Sequence, residues 1–365
     1  MTADISTPPP TPTTTAPSPE HLTQLALAFT AAKCLLSAVE IGVFTELARH
    51  EGPDEPDGRD EHDGRDAADL AARLDLHPRG AAAFLDALVG LGLLDRHDGR
   101  YRNTPETDHF LDRAKPTAYI GDGLDMANSR LYGFWGRLTD ALRTGEPRNE
   151  LAAGHGERDP FAEIYADPAR RRLFQRAMSQ LSRPAMLALV ERFPWAEYRR
   201  VADIGCGDGA LLCRLADRHP LLTGVGFDLP ASADAFTDNV GAAELIGRVA
   251  FQPGDFRIDP LPDSDVLVLG HVLHDWDLPT KRLLLAKAHA ALPEGGALIL
   301  FESFLDDERR ANVSALLLGL NTLIETPGGF ACTVSECREL LVEAGFRSTR
   351  TEPLTGAESM VVGVK

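Results

Sequence analysis

The residues best suited to chemistry lie in the second half of the chain, beginning with Val201-Ala-Asp-Ile-Gly-Cys-Gly-Asp-Gly-Ala-Leu-Leu. An apolar strand carrying Asp203 runs into three alternating glycines and then into a helix. Gly205, Gly207 and Gly209 let the backbone turn tightly and approach a ligand where any Cβ would collide. Their spacing differs from the GxGxxG of dinucleotide sites. Asp228, in Gly-Phe-Asp-Leu-Pro, ends the next strand about twenty residues on, where a carboxylate accepts both hydroxyls of a ribose. Asp255, in Pro-Gly-Asp-Phe, follows a third strand. Such strand-end carboxylates repel a pyrophosphate and suit a ligand with a neutral ribose and a positive charge. His271 and His274, with Asp275 beside them, also have a spacing that reads as a metal site.

These residues need a sheet to hold them. Strands are expected at 201–205, 224–229, 249–253, 265–269, 297–303 and 359–364, with helices near 210–219, 231–246, 279–292 and 334–344. Thr333 followed by Glu336 marks the last helix with a capping box. Short β-branched or leucine-rich runs between amphipathic helices predict an α/β fold, a Rossmann-like doubly wound, mostly parallel sheet covered on both faces. Ligands of such sheets bind beyond the carboxyl ends of the strands.

The first half reads differently. Residues 1–20 are rich in Thr, Pro and Ser and have little to bury, so a floppy tail is expected. From 22 to 47, apolar residues recur at helical spacing on more than one face, interrupted near Gly42, which predicts packing against a second subunit. The stretch 51–66 holds eight acids and two arginines among Gly and Pro; it lacks the ligand spacing and framing helices of a calcium loop and reads as a solvated insertion. Residues 67–104 outline a winged helix-turn-helix with Asp98-Gly99 at the tip of the wing. Its second helix carries one arginine and one aspartate, which is no phosphate-gripping face, so it reads as a packing module. Further helices are expected from 115 to 200, with Tyr119, Tyr132, Phe134 and Trp135 gathered in the first of them. The expected division is a tail (1–20), a winged-helix dimerisation domain (21–114), a helical linker and pocket region (115–200) and a ligand-binding domain (201–365).

After the tail the chain resembles the class I S-adenosylmethionine-dependent methyltransferases. Within them it resembles the small-molecule O-methyltransferases related to plant caffeate and isoflavone enzymes, acetylserotonin methyltransferase and bacterial antibiotic-tailoring enzymes. The marks are the N-terminal dimerising winged helix, DxGxGxG, the ribose acid, the Gly-Asp-Phe segment, His274-Asp275-Trp276, Pro327-Gly328-Gly329 and Ala344-Gly345-Phe346. The resemblance implies that S-adenosylmethionine is held by Asp203, Gly205, Gly207, Asp228, Leu229, Asp255, Phe256 and Ser182, leaving S-adenosylhomocysteine as product. It implies His274 as general base, a role for which a neutral imidazole near pH 7 is suited, and Glu302 as the carboxylate fixing its tautomer. Met178 matches a family position beside the substrate. The pocket is expected to take its shape from Met126, Asn128, Trp135 and the helix 315–324, which carries Asn321. Two positions depart from the family: a second supporting acid falls on Ala331, and a lysine four residues before the base is Gly270. Glu325 is a candidate to replace that acid or to contact the substrate.

Composition limits the remaining classes. With 37 basic and 55 acidic residues the formal net charge is -18, a field that repels nucleic acid and anionic lipid surfaces. No uninterrupted apolar run approaches the length of a membrane span, and the N-terminus lacks the pattern of a secretory signal. Five scattered cysteines without a CxxC pair suit a reducing compartment and neither a disulfide framework nor structural zinc. The expectation is a cytoplasmic homodimer that methylates a phenolic hydroxyl of a small aromatic secondary metabolite. The rivals are C- or N-methylation, possibly aided by a metal at His271 and His274, hydroxylation on the same fold, and a ligand-responsive winged-helix regulator.

Overall fold

The computed structural model describes residues 17–49, 64–150 and 160–365. Nearly all of the expected tail and most of the acidic stretch 51–66 lie outside the described residues. The chain forms two compact units, one ending at Asp108 and the other running from His109 to Lys365. The helical region 115–200 therefore belongs to the same unit as the ligand-binding sheet, and the first boundary falls a few residues before 114.

In the first unit, α1 (Glu20–Ile41) and α2 (Val43–Ala48) are separated by Gly42, whose φ of 86° ends α1 in a left-handed cap, at the interruption expected there. The helix-turn-helix is α3 (Ala67–Arg73), capped by the Asp66 carboxylate, and α4 (Pro78–Gly90), which has proline in its first turn. Strands β1 (Arg65–Asp66), β2 (Leu94–His97) and β3 (Arg100–Asn103) form an antiparallel wing in the order β1-β3-β2. The wing turns at Asp98 and Gly99, both at positive φ. Leu70, Leu85, Leu88, Leu94 and Tyr101 fill its core. In α1, by contrast, Leu22, Leu25, Leu27 and Phe29 remain more than half exposed. At 22 residues α1 is long and, averaged over its length, apolar enough to cross a membrane, although Gln24, Lys33 and Ser37 interrupt its apolar run.

The second unit is built on a seven-stranded sheet of β4 (Arg200–Ile204), β5 (Thr223–Asp228), β6 (Val249–Pro253), β7 (Val266–Gly270), β8 (Ala297–Glu302), β9 (Ser348–Thr355) and β10 (Glu358–Val364), in the order β6-β5-β4-β7-β8-β10-β9. The first five are parallel, and β10 runs antiparallel to both neighbours. Successive residues point to opposite faces, so Val266 and Val268 join one apolar layer while Leu267 and Leu269 join the other. This explains the uninterrupted apolar runs read as strands. The chain steps outward from β4 to β6 and returns to β7 on the other side of β4, which places the switch point between β4 and β7.

Strand ends match expectation within a residue or so, with two differences. The segment 231–246 divides into a 3-10 turn (Pro230–Ser232) and a helix (Ala233–Ala242), the chain then passing through Glu244 and Gly247 at positive φ. β9 was not expected at all. It is an edge strand, largely polar and interrupted by Pro353, and so has no apolar alternation to read. The capping box at Thr333 and Glu336 is present.

Candidate active site

A cavity of about 570 Å³ opens at the carboxyl ends of the strands around the switch point. The β4 turn forms one wall. Gly205 has φ of 76°, and a Cβ there would lie 2.8 Å from a methyl of Val272. Gly207 also has positive φ, and its N–H donates to Asp228 Oδ2 at 2.8 Å, while the N–H of Leu229 donates to Oδ1 at 2.7 Å. The glycine turn and the carboxylate of the next strand are thus one locked unit. Burial, helped by the charges of Asp228 and Asp208, raises Asp203 to about 7; burial raises Asp228 to about 6 despite its two backbone donors. Carboxylates whose ionised form the fold disfavours are relieved by a ligand offering hydroxyl donors or positive charge. The cradle therefore fits a cationic nucleoside. Leu229, Phe256, Met178 and the buried Ser182 complete this wall.

Asp255, the third of the strand-end carboxylates, is paired with a cation of its own chain. It lines the cavity, but its oxygens are gripped by Arg257, with Nε at 3.0 Å from Oδ1 and Nη2 at 2.7 Å from Oδ2. Its charge is thereby neutralised, and Arg257 in turn lies 5.0 Å over the Trp276 ring.

At the opposite rim, β7 ends at Gly270 and turns through His271 into a short 3-10 turn, Leu273–Asp275. Glu302, at the end of β8, accepts the N–H of Leu273 at 2.7 Å and of His274 at 3.2 Å. From below, the fully buried Lys281 donates to the carbonyls of Leu273 (2.7 Å) and Phe330 (3.0 Å), tying this turn to the loop after Pro327-Gly328-Gly329. The imidazole of His274 stands between two carboxylates: Nδ1 is 3.4 Å from Glu302 and Nε2 is 3.5 Å from Asp275. Nδ1 makes no aligned hydrogen bond. Glu302 therefore fixes the turn by its backbone and acts on the ring as a charge. Burial alone would lower the pKa of His274, but Asp275 and Glu302 outweigh it and raise it to about 9. Burial pushes Glu302 up, and the charge of His274 more than offsets this; in Asp275 burial wins and its carboxyl is raised. The two flanking carboxylates thus favour the protonated form of the resting imidazole.

The far end of the cavity is closed by a polar chain. Arg130 donates to Glu150 at 2.6 Å and meets Glu325 at 3.1 Å; Glu325 accepts from Asn321 at 2.5 Å, and Asn321 accepts from the Trp135 indole at 3.0 Å. Glu325 is thereby committed to Arg130 and Asn321, and the second acid beside His274 is Asp275, not Glu325. Asn128 lies on a π-helical turn (Ala127–Leu131) and is not among the cavity-lining residues, whereas Met126 and Arg130, four apart on either side of it, are. Gly270 has a packing reason: a Cβ there would meet the Phe301 ring at 2.1 Å, so no lysine fits. Sequence reasoning missed Arg130 and the cavity-lining aromatics Phe161, Tyr165 and Phe174, the first two one helical turn apart, and gave Asp275 a place only in the His-Asp-Trp motif and a metal reading. Of the four aromatics it gathered between 115 and 200, Trp135 alone lines the cavity. Among the described residues no group of three or more metal-ligating side chains converges.

A switch-point cavity with a glycine cradle and paired carboxylates, on this strand order, is the fold of an S-adenosylmethionine-dependent methyltransferase. The chain belongs to the O-methyltransferase family: residues 135–347 match its O-methyltransferase domain and residues 23–113 its dimerisation domain. It is 38% identical over 97% of its length to the tetracenomycin polyketide synthesis 8-O-methyl transferase TcmO of Streptomyces glaucescens, covering 99% of that protein. It is 37% identical to the N,N-dimethyltransferase OxyT of Streptomyces rimosus, with 94% of this chain and 96% of that one covered. Human N-acetylserotonin methyltransferase, solved with S-adenosylmethionine, superposes with a TM-score of 0.83 at 28% identity, over 97% of this chain and 99% of that one. The protein is an S-adenosylmethionine-dependent O-methyltransferase of the secondary-metabolite type.

Proposed function

We propose that the acceptor is a phenolic hydroxyl of a small aromatic metabolite and that His274 removes its proton. The observation that carries this reading is the placement of His274, flanked by Asp275 and Glu302, in the same cavity as Asp203 and Asp228 and opposite apolar walls that include Trp135, Met178, Phe161 and Trp276. When bound, S-adenosylmethionine supplies a methyl already activated by its sulfonium. The chain's own part is positioning and proton removal. Asp228 takes the ribose hydroxyls, the glycine turn admits the nucleoside, and Leu229 and Phe256 flank its base. A positive charge entering the cavity lowers the pKa of the nearby imidazole, which favours the form that can act as base. The name of OxyT keeps nitrogen as a second acceptor to examine. Incubation with labelled cofactor and a panel of phenols and arylamines, followed by location of the methyl in the product, tests the reading; methylated arylamines without methylated phenols would overturn it.

Asp228→Ala is expected to weaken S-adenosylmethionine binding by about 1.5–3 kcal/mol, the worth of hydrogen bonds to a charged group. Calorimetry on a variant shown to be folded measures this, and unchanged affinity would remove Asp228 from the role. Because Asp203 and Asp228 take up protons near 7 and 6, cofactor affinity is expected to fall as pH drops through that range.

Assembly is read as a cytoplasmic homodimer in which the exposed leucines and Phe29 of α1 are buried by a second copy. Sedimentation should show a dimer, and a chain beginning at Ala68 should be insoluble or inactive. Removal of residues 2–18 should change neither assembly nor activity. A stable, active monomer from the Ala68 truncation would contradict the assignment.

A further inference from the structure

His271 is held at φ of 54°, a left-handed conformation that glycine adopts freely and other residues resist. A strained histidine retained in a cavity wall points to a use for its side chain. Its Nε2 lies 3.5 Å from Glu358 Oε2, and both of these buried atoms lack an aligned hydrogen-bond partner. Glu358 opens β10, where the pairing with β9 shifts register between Glu358 and Ser359, an irregularity of the kind that re-aims a side chain. Both residues line the cavity, and the His271 ring stands 6.1 Å from that of His274, nearly perpendicular to it. The Phe301 and His271 rings pack edge to face with centroids 5.3 Å apart.

We propose that His271, braced by Glu358, binds a second oxygen next to the acceptor hydroxyl, so that the preferred substrates are aromatics whose acceptor hydroxyl lies ortho or peri to a carbonyl or another hydroxyl. The proposal rests on the O-methylation reading above. Two oxygens so placed sit about 2.6 Å apart and share an internal O–H···O bond that holds the acceptor proton away from any base. Two imidazoles 6.1 Å apart can each address one of them. With Glu358 beside one nitrogen of His271, the other is left to meet the neighbouring oxygen. That contact competes with the internal bond and turns the acceptor proton toward His274, which receives it. His271 is thus a specificity residue, and His274 remains the base.

The test uses the full-length enzyme loaded with S-adenosylhomocysteine and two hydroxyanthraquinone isomers, one with its hydroxyl peri to the carbonyl and one with it at the remote position. The wild type should bind the peri isomer roughly tenfold more tightly, the worth of one hydrogen bond. His271→Gly relieves the left-handed strain, so the variant keeps its fold; it should lose the preference by weakening the peri isomer alone. Glu358→Gln should reduce it in part. Equal affinity of the wild type for both isomers, no affinity for either, or a preference that survives His271→Gly overturns the proposal. Product mass after adding S-adenosylmethionine is followed separately: a binding preference without methylation of either isomer would count against the O-methylation reading while leaving the His271 and Glu358 pair in place.

Discussion

His274→Gln is expected to bind S-adenosylmethionine as the wild type does and to lose turnover on the order of 10²–10⁴-fold, the usual worth of a positioned base. Glutamine fills the same space but cannot take the proton. Glu302→Gln should lose less, because a glutamine oxygen can still accept from the backbone of Leu273 or His274 while the negative charge near Nδ1 disappears. The proposed assignment also has a pH signature. The wild-type rate should fall with acid as the imidazole becomes protonated, and high pH should partly restore His274→Gln for a phenol that ionises unaided. Stability adds an independent reading. A histidine whose pKa is raised on folding from 6.5 to about 9 stabilises the ligand-free protein fully below 6.5, and that contribution is lost as pH rises through about 9. The melting temperature of the ligand-free wild type should therefore decline between those values more steeply than that of His274→Gln. Near-native turnover of the variant at neutral pH would mean that proximity alone carries the reaction.

What was legible in the sequence divides along the range of the interactions. The β4 turn could be read because everything it needs is local: an apolar strand, glycines where backbone must come close, and a carboxylate at the end of the next strand. Asp228 turns out to hold the glycine turn as well as to face the cavity, an additional role that spacing does not reveal. The Asp255 and Arg257 clamp was equally local, two residues apart, but attention to carboxylates as ligands passed over the cation beside one of them. Asp275 could be read only as the middle of His-Asp-Trp or as a neighbour of two histidines in a metal pattern, because only the turn geometry sets it against the Nε2 of His274. Contacts that join distant segments left no trace. Trp135 and Asn321 are 186 residues apart, and Lys281 reaches a carbonyl 49 residues away from within a helix where any lysine would pass for a surface residue. The apolar surplus of α1 and its end at Gly42 were both visible as a pattern, because helical spacing carries through the glutamine, serine and lysine that interrupt the apolar run.

Those distant contacts make the second large effect testable. Arg130→Met is expected to destabilise the protein by about 2–3 kcal/mol, between the small worth of an exposed pair and the cost of breaking a fully buried one, since the network is partly buried. The arginine side chain is 12% exposed, and Glu150 and Glu325 are each 21% exposed, so water takes its place only in part. Burial already raises Glu325 against the lowering effect of Arg130, while Arg130 keeps Glu150 below its ordinary value. Without the guanidinium both carboxyls rise. A carboxyl raised on folding favours the fold at low pH and loses that contribution as pH increases through its folded value, so the deficit of Arg130→Met should be greatest near pH 8 and shrink toward pH 5. Adding Glu325→Gln should recover part of the loss at pH 8, since an amide is far less costly to bury than an unpaired carboxylate and can still meet Asn321. The effect should also reach the cavity: Asn321, released from a fixed Glu325, no longer holds the Trp135 indole, and the KM for the acceptor should rise more than kcat falls. Denaturant unfolding at the two pH values decides the matter. A deficit below about 1 kcal/mol, the size expected of an exposed pair, that does not change with pH would mean that the chain from Glu150 to Trp135 is not what closes this end of the cavity.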